Sequence, residues 1–436
     1  MKIISKPKKE DWNALIKRPV ISNADLYARV SPIIKAVQEE GDLAIRRFTA
    51  QFDAVDLDSV VLSKNEIHEK ASLIDGTLKE AIDTAFSNIW KFHEAQHETF
   101  VPLETSKGVT CWRESRAIEK VGLYVPGGTA PLFSSLLMLG VPARIAGCRT
   151  IVVCTPPDTS GSILPAMAYT LERLEIDQVY MAGGAQAIAG MALGTESIPS
   201  VYKIFGPGNQ YVSAAKNIVS QEYQVAIDLP AGPTELLLIA DESAEPEFLA
   251  ADILSQAEHG TDSQVVLVST SEKLLEEVHE VLKVKLETLP RRDIAEKALS
   301  SAAGIYFETL DEAVSFSNEY APEHLILAVQ NPDSLVRDIV NAGSVFLGHL
   351  TPESFGDYAS GTNHTLPTNG AARAYGGVSL ESFQKKITFQ KVTQTGLMGL
   401  GPQVEVMARA EGLDGHAEAV RCRLEYTNMK KELSNG

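Results

Sequence analysis

Four polar clusters interrupt the apolar patterning of the chain, and each holds residue types able to do chemistry. In Ser255-Gln256-Ala257-Glu258-His259-Gly260, Gln256 and His259 stand three residues apart. On a helix that spacing lets an amide oxygen and an imidazole converge on one point. The same run also reads as a plain helix end, with His259 capping carbonyls before Gly260. Ala321-Pro322-Glu323-His324-Leu325 stands just before an apolar run. A carboxylate beside an imidazole supplies two proton-transfer groups that work near neutrality when partly buried, and a solvated loop is the bland alternative. Ser354 to His364 is rich in Gly, hydroxyl and ligand-type side chains, a loop composition more often functional than idle. Glu411-Gly412-Leu413-Asp414-Gly415-His416 joins two helix-patterned stretches. Taken together, Gln256, His259, Asp357 and His416 offer two imidazoles, one carboxylate and one amide oxygen. Such N/O ligands suit zinc, with manganese or cobalt as substitutes, although a neutral Gln is outside the usual zinc set.

The elements that must carry these clusters follow from periodicity. Residues 1 to about 100 read as helical, with stripes such as Ile33, Val37, Ala44, Phe48 and Ala81, Ala85, Ile89, Phe92. From Val121 onward short apolar runs meet Gly/Pro turns: Val121–Val125, Thr150–Cys154, Val179–Ala182 and Val201–Phe205. Fully apolar strands recurring between helix-compatible stretches are what a buried parallel sheet needs. A second series comprises 236–240, 264–268, 304–307, 325–329 and 344–347, with helices expected over 247–258 and 334–341. The tail from about 380 returns to helix, with 404–410 and 417–426 as candidates. The fold class is therefore α/β, with two doubly wound, incomplete Rossmann-like domains, a helical N-terminal region and a helical C-terminal tail. The expected division is an N-terminal segment 1–24, a main domain of 25–122 plus 234–378, a Rossmann-like domain 123–233 and a tail 379–436.

Composition narrows the function. Acids outnumber bases 57 to 39 in 436 residues, a formal charge of −18. That balance argues against nucleic acid and anionic membrane surfaces as partners. No signal peptide or membrane-length apolar run is read, the best being 131–147, broken by Pro142 and Arg144. Cys111, Cys148, Cys154 and Cys422 are scattered and read as reduced, buried thiols of a cytoplasmic protein. A thiol nucleophile is not expected. There is no P-loop, and Gly206-Pro207-Gly208 lacks the third glycine of a dinucleotide fingerprint. His93-Glu94-Ala95-Gln96-His97 matches the HExxH pattern of zinc proteases and stands as a rival site.

Read together, the motifs resemble the histidinol dehydrogenase family from about residue 25 onward. The likeness runs through Gly122-Leu123-Tyr124-Val125-Pro126-Gly127-Gly128, Gly183-Gly184-Ala185-Gln186-Ala187, Phe205-Gly206-Pro207-Gly208-Asn209, Leu229-Pro230-Ala231-Gly232-Pro233-Thr234-Glu235 and the four polar clusters. The resemblance implies a zinc enzyme that takes L-histidinol through a retained aldehyde to L-histidine in two NAD-dependent oxidations. It implies zinc on Gln256, His259, Asp357 and His416, with His416 donated across an intertwined homodimer. It further implies NAD contacts at Tyr124, Gln186 and Asn209, and catalysis by Glu323 and His324. Substrate contacts are implied at Thr234, Gln256, His259, His324, Asp357, Glu411 and His416. A relative acting on another alcohol, such as a sulfonated diol, is the alternative within the same family.

Overall fold

The computed structural model describes residues 1–18, 23–127, 132–229 and 232–435; Gly128, Pro131 and the Pro230-Ala231 pair of the motifs above lie outside the described residues. The chain divides into two compact units, Met1–Gln96 with Ile118–Phe383, and His97–Ala117 with Gln384–Gly436.

The first unit contains two six-stranded sheets. One runs in the order Val61–Leu62, Gln178–Met181, Thr150–Thr155, Lys120–Tyr124, Lys203–Phe205, Ala226–Ile227. All its pairings are parallel except that of the short first strand. The other is parallel throughout, in the order Lys2–Ser5, Ala303–Tyr306, Gln264–Ser269, Glu235–Ala240, His324–Ala328, Ser344–Leu347. Every residue of Glu235–Ala240, Gln264–Ser269 and His324–Ala328 is buried, as expected of strands covered on both faces. Alternation then sorts side chains between two cores. Leu236 and Leu238 join Leu249, Ile253 and Leu275 on one face, while Leu237 and Ile239 join Phe307, Phe316 and Tyr320 on the other.

Four expectations need correction. The helical N-terminal region begins with a strand, Lys2–Ser5, which pairs with Ala303–Tyr306 at the sheet edge. The helix expected over 334–341 is two 3₁₀ turns, Pro332–Ser334 and Val336–Asp338. There the Asn318 side chain accepts from the Val340 and Asn341 amides and donates to the Asp338 carbonyl. Those are the backbone groups a helix would have used. The loop expected from Ser354 opens as a helix, Glu353–Tyr358. Finally, the tail does not return directly to helix. Gln384–Val392 is a strand, and it pairs antiparallel with Val109–Ala117, which pairs in turn with Leu103–Ser106.

That three-stranded ribbon and two helices, Gln394–Ala410 and Asp414–Asn435, make up the second unit. The helices pack where Gly401 lies against Val420 and Leu424, and Gly412, at φ +73°, turns the chain between them. Val406, Met407 and Leu433 remain largely exposed. No helix of the described residues is long and apolar enough to cross a membrane.

One buried ion pair fixes the turn after Lys203–Phe205. Lys216 bonds Asp228 and donates to the Gly206 carbonyl at 3.0 Å, and both side chains are almost wholly buried. Asp228 accepts in return from the Gly206 and Leu229 amides, each at 2.8 Å. Gly206 sits at φ +130°, and a Cβ there would fall 2.1 Å from the Tyr124 carbonyl oxygen, so only glycine passes. Lys216→Met strands a buried carboxylate, a change that costs about 3–5 kcal/mol. A fall of several degrees in melting temperature by calorimetry is the expected outcome, and an unchanged melting temperature refutes the role.

Candidate active site

Glu323 and His324 are positioned by a helix end and a strand start. A capping box, Thr309 with Glu312, opens the helix Leu310–Tyr320. Ala321, left-handed at φ 53°, closes it, and Pro322 prevents its continuation. The chain then enters His324–Ala328 in the body of the sheet, so both Glu323 and His324 are buried. Glu323 Oε2 accepts from Thr234 Oγ1 at 2.7 Å and from the Glu235 amide at 2.8 Å. Burial nevertheless pushes its pKa up to about 7, against the lowering by His324 and these two donors.

His324 Nδ1 donates to the Glu235 carbonyl at 3.2 Å. A carbonyl can only accept, so this contact puts the hydrogen of the neutral ring on Nδ1 and leaves the lone pair on Nε2. Nε2 is buried without a hydrogen-bond partner, and Asp357 Oδ1 lies 3.5 Å away. Desolvation opposes charging this ring, but Glu353, Glu323 and Asp357 together outweigh it and raise its pKa. Glu353 and Glu323 each approach Nδ1 to 3.8 Å.

Glu235 is the common support. Its backbone bonds both Glu323 and His324, and its carboxylate takes two bonds from Arg18, at 2.6 and 2.8 Å. Arg18 also donates to the Tyr320 carbonyl at 2.9 Å and stacks 3.9 Å from the Tyr320 ring centre. The Asn369 amide adds a bond at 2.8 Å. Arg18 carried no signal in the sequence beyond its charge, and Glu235 stood only as the last residue of the 229–235 motif, with no role attached.

The metal-type residues converge only in part. Gln256 is buried in the last turn of Pro246–Ala257, and His259 follows just past that helix's end. Glu353 and Asp357, four apart on the short Glu353–Tyr358 helix, share one face. Ligand atoms of His259, Glu353 and Asp357 all lie within 4.8 Å of one another. Donors across one zinc ion are at most about 4.2 Å apart, so a small side-chain adjustment closes the set. His364 holds the segment: Nδ1 donates to the Asp357 carbonyl at 2.9 Å and Nε2 faces Ser135 Oγ at 3.0 Å. Asp357 is held below the ordinary carboxylate range despite desolvation, chiefly by His324. Glu353 is pushed the other way by burial and the neighbouring acids. Crowded carboxylates of this kind call for a shared proton or a cation, which is the physical case for a metal here. His259 is open to solvent, yet enough protein surrounds it for desolvation to lower its pKa against the pull of Asp357. Glu411 and His416 belong to the second unit and are exposed.

A cleft of about 350 Å³ joins these groups, with Thr234, Glu323, His324, His259, Glu353 and Asp357 along its lining. Gly127, Gly206–Asn209 and Asp228 line it too. The first sheet meets the cleft at the carboxyl ends of Lys120–Tyr124 and Lys203–Phe205, where strand order reverses. Ligands of open α/β sheets bind at such a switch point. The second sheet presents its amino ends instead, since Thr234 and Glu323 immediately precede their strands. Asn209 caps Gln210–Glu222, accepting from the Tyr211 and Val212 amides at 3.0 and 3.1 Å. Tyr124 and Gln186 lie behind the surface: Tyr124 Oη accepts from the Gly184 amide at 3.1 Å, and Gln186 Oε1 is buried without a donor. The glycine turn, the helix start and these unspent groups fit a dinucleotide.

The rival zinc site fails on geometry. His93 is fully buried, with Nδ1 donating to the Ile89 carbonyl at 2.9 Å and Nε2 facing Asn363 Nδ2 at 3.3 Å. Both ring nitrogens are spent, and the helix ends at Glu94, before His97. Cys148 and Cys154 are buried with raised pKa values, so neither is a thiolate nucleophile; Cys422, expected to be buried, is exposed.

Comparison with known proteins gives the family. The histidinol dehydrogenase family profile matches residues 16–424. The chain belongs to the histidinol dehydrogenase family. It is 54% identical to the histidinol dehydrogenase of Bacteroides thetaiotaomicron over 424 residues, covering 97% of this chain and 99% of the relative. It is 52% identical to the chloroplastic histidinol dehydrogenase of Arabidopsis thaliana, covering 96% and 90%. The crystal structure of histidinol dehydrogenase from Elizabethkingia anophelis superposes with a TM-score of 0.95 at 52% identity, covering 98% and 99%. Membership of the histidinol dehydrogenase family makes the chain an oxidoreductase.

His259→Ala and Asp357→Ala are each expected to lower metal affinity at least about tenfold, read as bound zinc per folded chain by elemental analysis. His93→Ala should leave that ratio unchanged, and a loss there would return the metal to the rival motif.

Proposed function

We propose that this oxidoreductase converts L-histidinol to L-histidine by two successive NAD-dependent oxidations, with zinc anchoring the substrate. The observation that carries the reading is His324, its proton fixed on Nδ1 and its Nε2 free, beside the buried carboxylate of Glu323 in a metal-type cleft. Bound NAD would supply the hydride acceptor and bound zinc Lewis acidity toward the substrate. A cation on Asp357 would weaken the pull that keeps His324 charged, so that the neutral ring accepts the hydroxyl proton at Nε2 as the first hydride leaves, and Glu353 and Glu323 stabilise the imidazolium that forms. Glu323, its pKa pushed up to about 7, then removes a proton from the water that attacks the aldehyde carbon while the His324 imidazolium returns its proton to the carbonyl oxygen, and the neutral ring so regenerated accepts the hydroxyl proton of the hydrate in the second oxidation. Thr234 holds the Glu323 carboxylate in place.

Gln256, His259, Asp357 and the His416 of a second copy are proposed as zinc ligands. Glu353 is the neighbouring acid that balances charge. Tyr124, Gln186 and Asn209 are the proposed NAD contacts, and Glu411 and His416 complete the substrate site of the partner copy. Exposed Val406, Met407 and Leu433 on the helical hairpin support an intertwined homodimer, since apolar surface of this kind is commonly covered by association. The charged cleft lining, with Asp262, Glu323, Glu353 and Asp357 against Arg291 and with Asp228 already neutralised by Lys216, favours a cationic amino alcohol over an anionic sulfonated diol.

Zinc-loaded protein is expected to release two NADH per histidinol consumed, with loss on chelation and recovery on added zinc. Absence of NADH from folded, metal-replete dimer overturns the reading. His324→Ala should lower kcat by about 10²–10⁴-fold. Glu323→Gln should move the stoichiometry from two NADH toward one as aldehyde accumulates. Because Glu323 acts as a base only when ionised, kcat/KM should fall as pH drops below about 7, and Thr234→Val, by removing a donor that lowers this pKa, should move that limb upward.

Mixing inactive His416→Ala protein with inactive His259→Ala protein under subunit exchange should restore partial activity. No recovery after exchange is verified by mass spectrometry speaks against a shared site.

A further inference from the structure

The first sheet has half of a dinucleotide-binding order: Lys120–Tyr124, Thr150–Thr155 and Gln178–Met181 follow one another outward from the switch point. In such sheets the adenosine half lies over the ends of these strands, and an acid after the second strand takes the ribose hydroxyls. Here that second strand runs into Pro156-Pro157, which supply neither charge nor side-chain acceptor. The next acid, Asp158, is spent on its own turn, its Oδ1 accepting from Ser160 and Ser162.

An acid from elsewhere in the chain occupies this corner. Asp53 closes the helix Asp42–Phe52. Its Oδ2 stands 3.5 Å from where a Cβ on Gly183 would be, and Pro156 Cβ stands 2.8 Å from the same point. Pro156 Cγ in turn would come within 2.4 Å of a Cβ on Gly127, which lines the cleft. The two glycines therefore let the Pro156 ring pack directly against both turns, so that Gly127 on the cleft wall, Pro156, Gly183 and the Asp53 carboxylate form one contiguous corner. Among the described residues, none donates to Asp53 Oδ2. Desolvation alone moves its pKa, upward, with no cation to offset it. A half-buried carboxylate left without donors is a standing cost unless something supplies them.

We propose that Asp53 is the specificity residue for the nucleotide, accepting from the adenosine ribose diol of NAD and excluding the 2′-phosphate of NADP. This rests on the NAD reading above. A diol offers two O–H donors to one carboxylate, whereas a 2′-phosphate brings like charge against it, so one side chain provides both attraction and rejection. The role takes the place of the acid that the second strand lacks.

The test is binding rather than turnover. Dissociation constants for NADH and NADPH are measured by fluorescence on zinc-loaded wild type and Asp53→Asn, with ADP-ribose titrated calorimetrically. Wild type should favour NADH strongly. Asp53→Asn should weaken NADH and ADP-ribose about tenfold while NADPH binds equally well or more tightly, collapsing the ratio. Asp53→Ser, shorter and neutral, should collapse it as well, which guards against a fold defect peculiar to one variant. Equal weakening of both nucleotides, or no change in either, overturns the proposal and makes Asp53 a structural group. Wild-type protein that binds neither nucleotide overturns the NAD reading itself, a result separable from the former.

Discussion

His324 is a buried imidazole approached by three carboxylates, and the surrounding structure can be understood as the means of keeping that arrangement together. Burying a carboxylate costs several kcal/mol unless charge or hydrogen bonds compensate it. Glu323 receives two hydrogen bonds, Asp357 relies on neighbouring imidazoles, and Glu353 is left with a raised proton affinity. The acids hold charge on the ring once a proton arrives, and the backbone carbonyl of Glu235 decides which nitrogen receives it. Arg18 secures Glu235 from the opposite side, so an N-terminal residue governs the geometry of a pair some 300 positions later.

The two sheets divide the labour by orientation. The first offers carboxyl ends, with a glycine turn locked by Lys216 and Asp228. The second offers amino ends, where Thr234 and Glu323 leave loops and enter strands. A residue at the start of a buried strand inherits the rigidity of the sheet while its side chain still reaches the cleft. That is why an acid and an imidazole can be presented side by side without a flexible loop to carry them.

Much of this was legible in the sequence because its physical basis is local. Apolar runs located nine of the twelve strands of the two six-stranded sheets, missing only the short outer strands Lys2–Ser5, Val61–Leu62 and Ala226–Ile227, and Glu323-His324 stood out against the apolar run that follows. The misses share a cause. Lys2–Ser5 has too few apolar residues to announce a strand and owes its conformation to Ala303–Tyr306. The 334–341 helix was pre-empted by the Asn318 side chain. Glu353 lies one residue before the polar run that begins at Ser354 and drew no notice until a short helix put it on the same face as Asp357. The ribbon of 103–117 with 384–392 depends on pairing between segments more than half the chain apart, which periodicity cannot reveal. His93 matched a motif whose pattern concerns spacing, whereas its fate was decided by Asn363, far away in sequence.

The edge strand Lys2–Ser5 also has a bearing on the order of assembly. Its only sheet neighbour among the described residues is Ala303–Tyr306, whose exposed side it covers. At about 5–20 residues per second, the ribosome needs roughly 15–60 s to deliver that neighbour. Throughout that interval the nascent N-terminus has no place in the sheet, and once the neighbour emerges, its bare backbone is open to other strands until the segment docks. The first residues synthesised in this sheet are thus among the last to find their position, and they act as a closing seal.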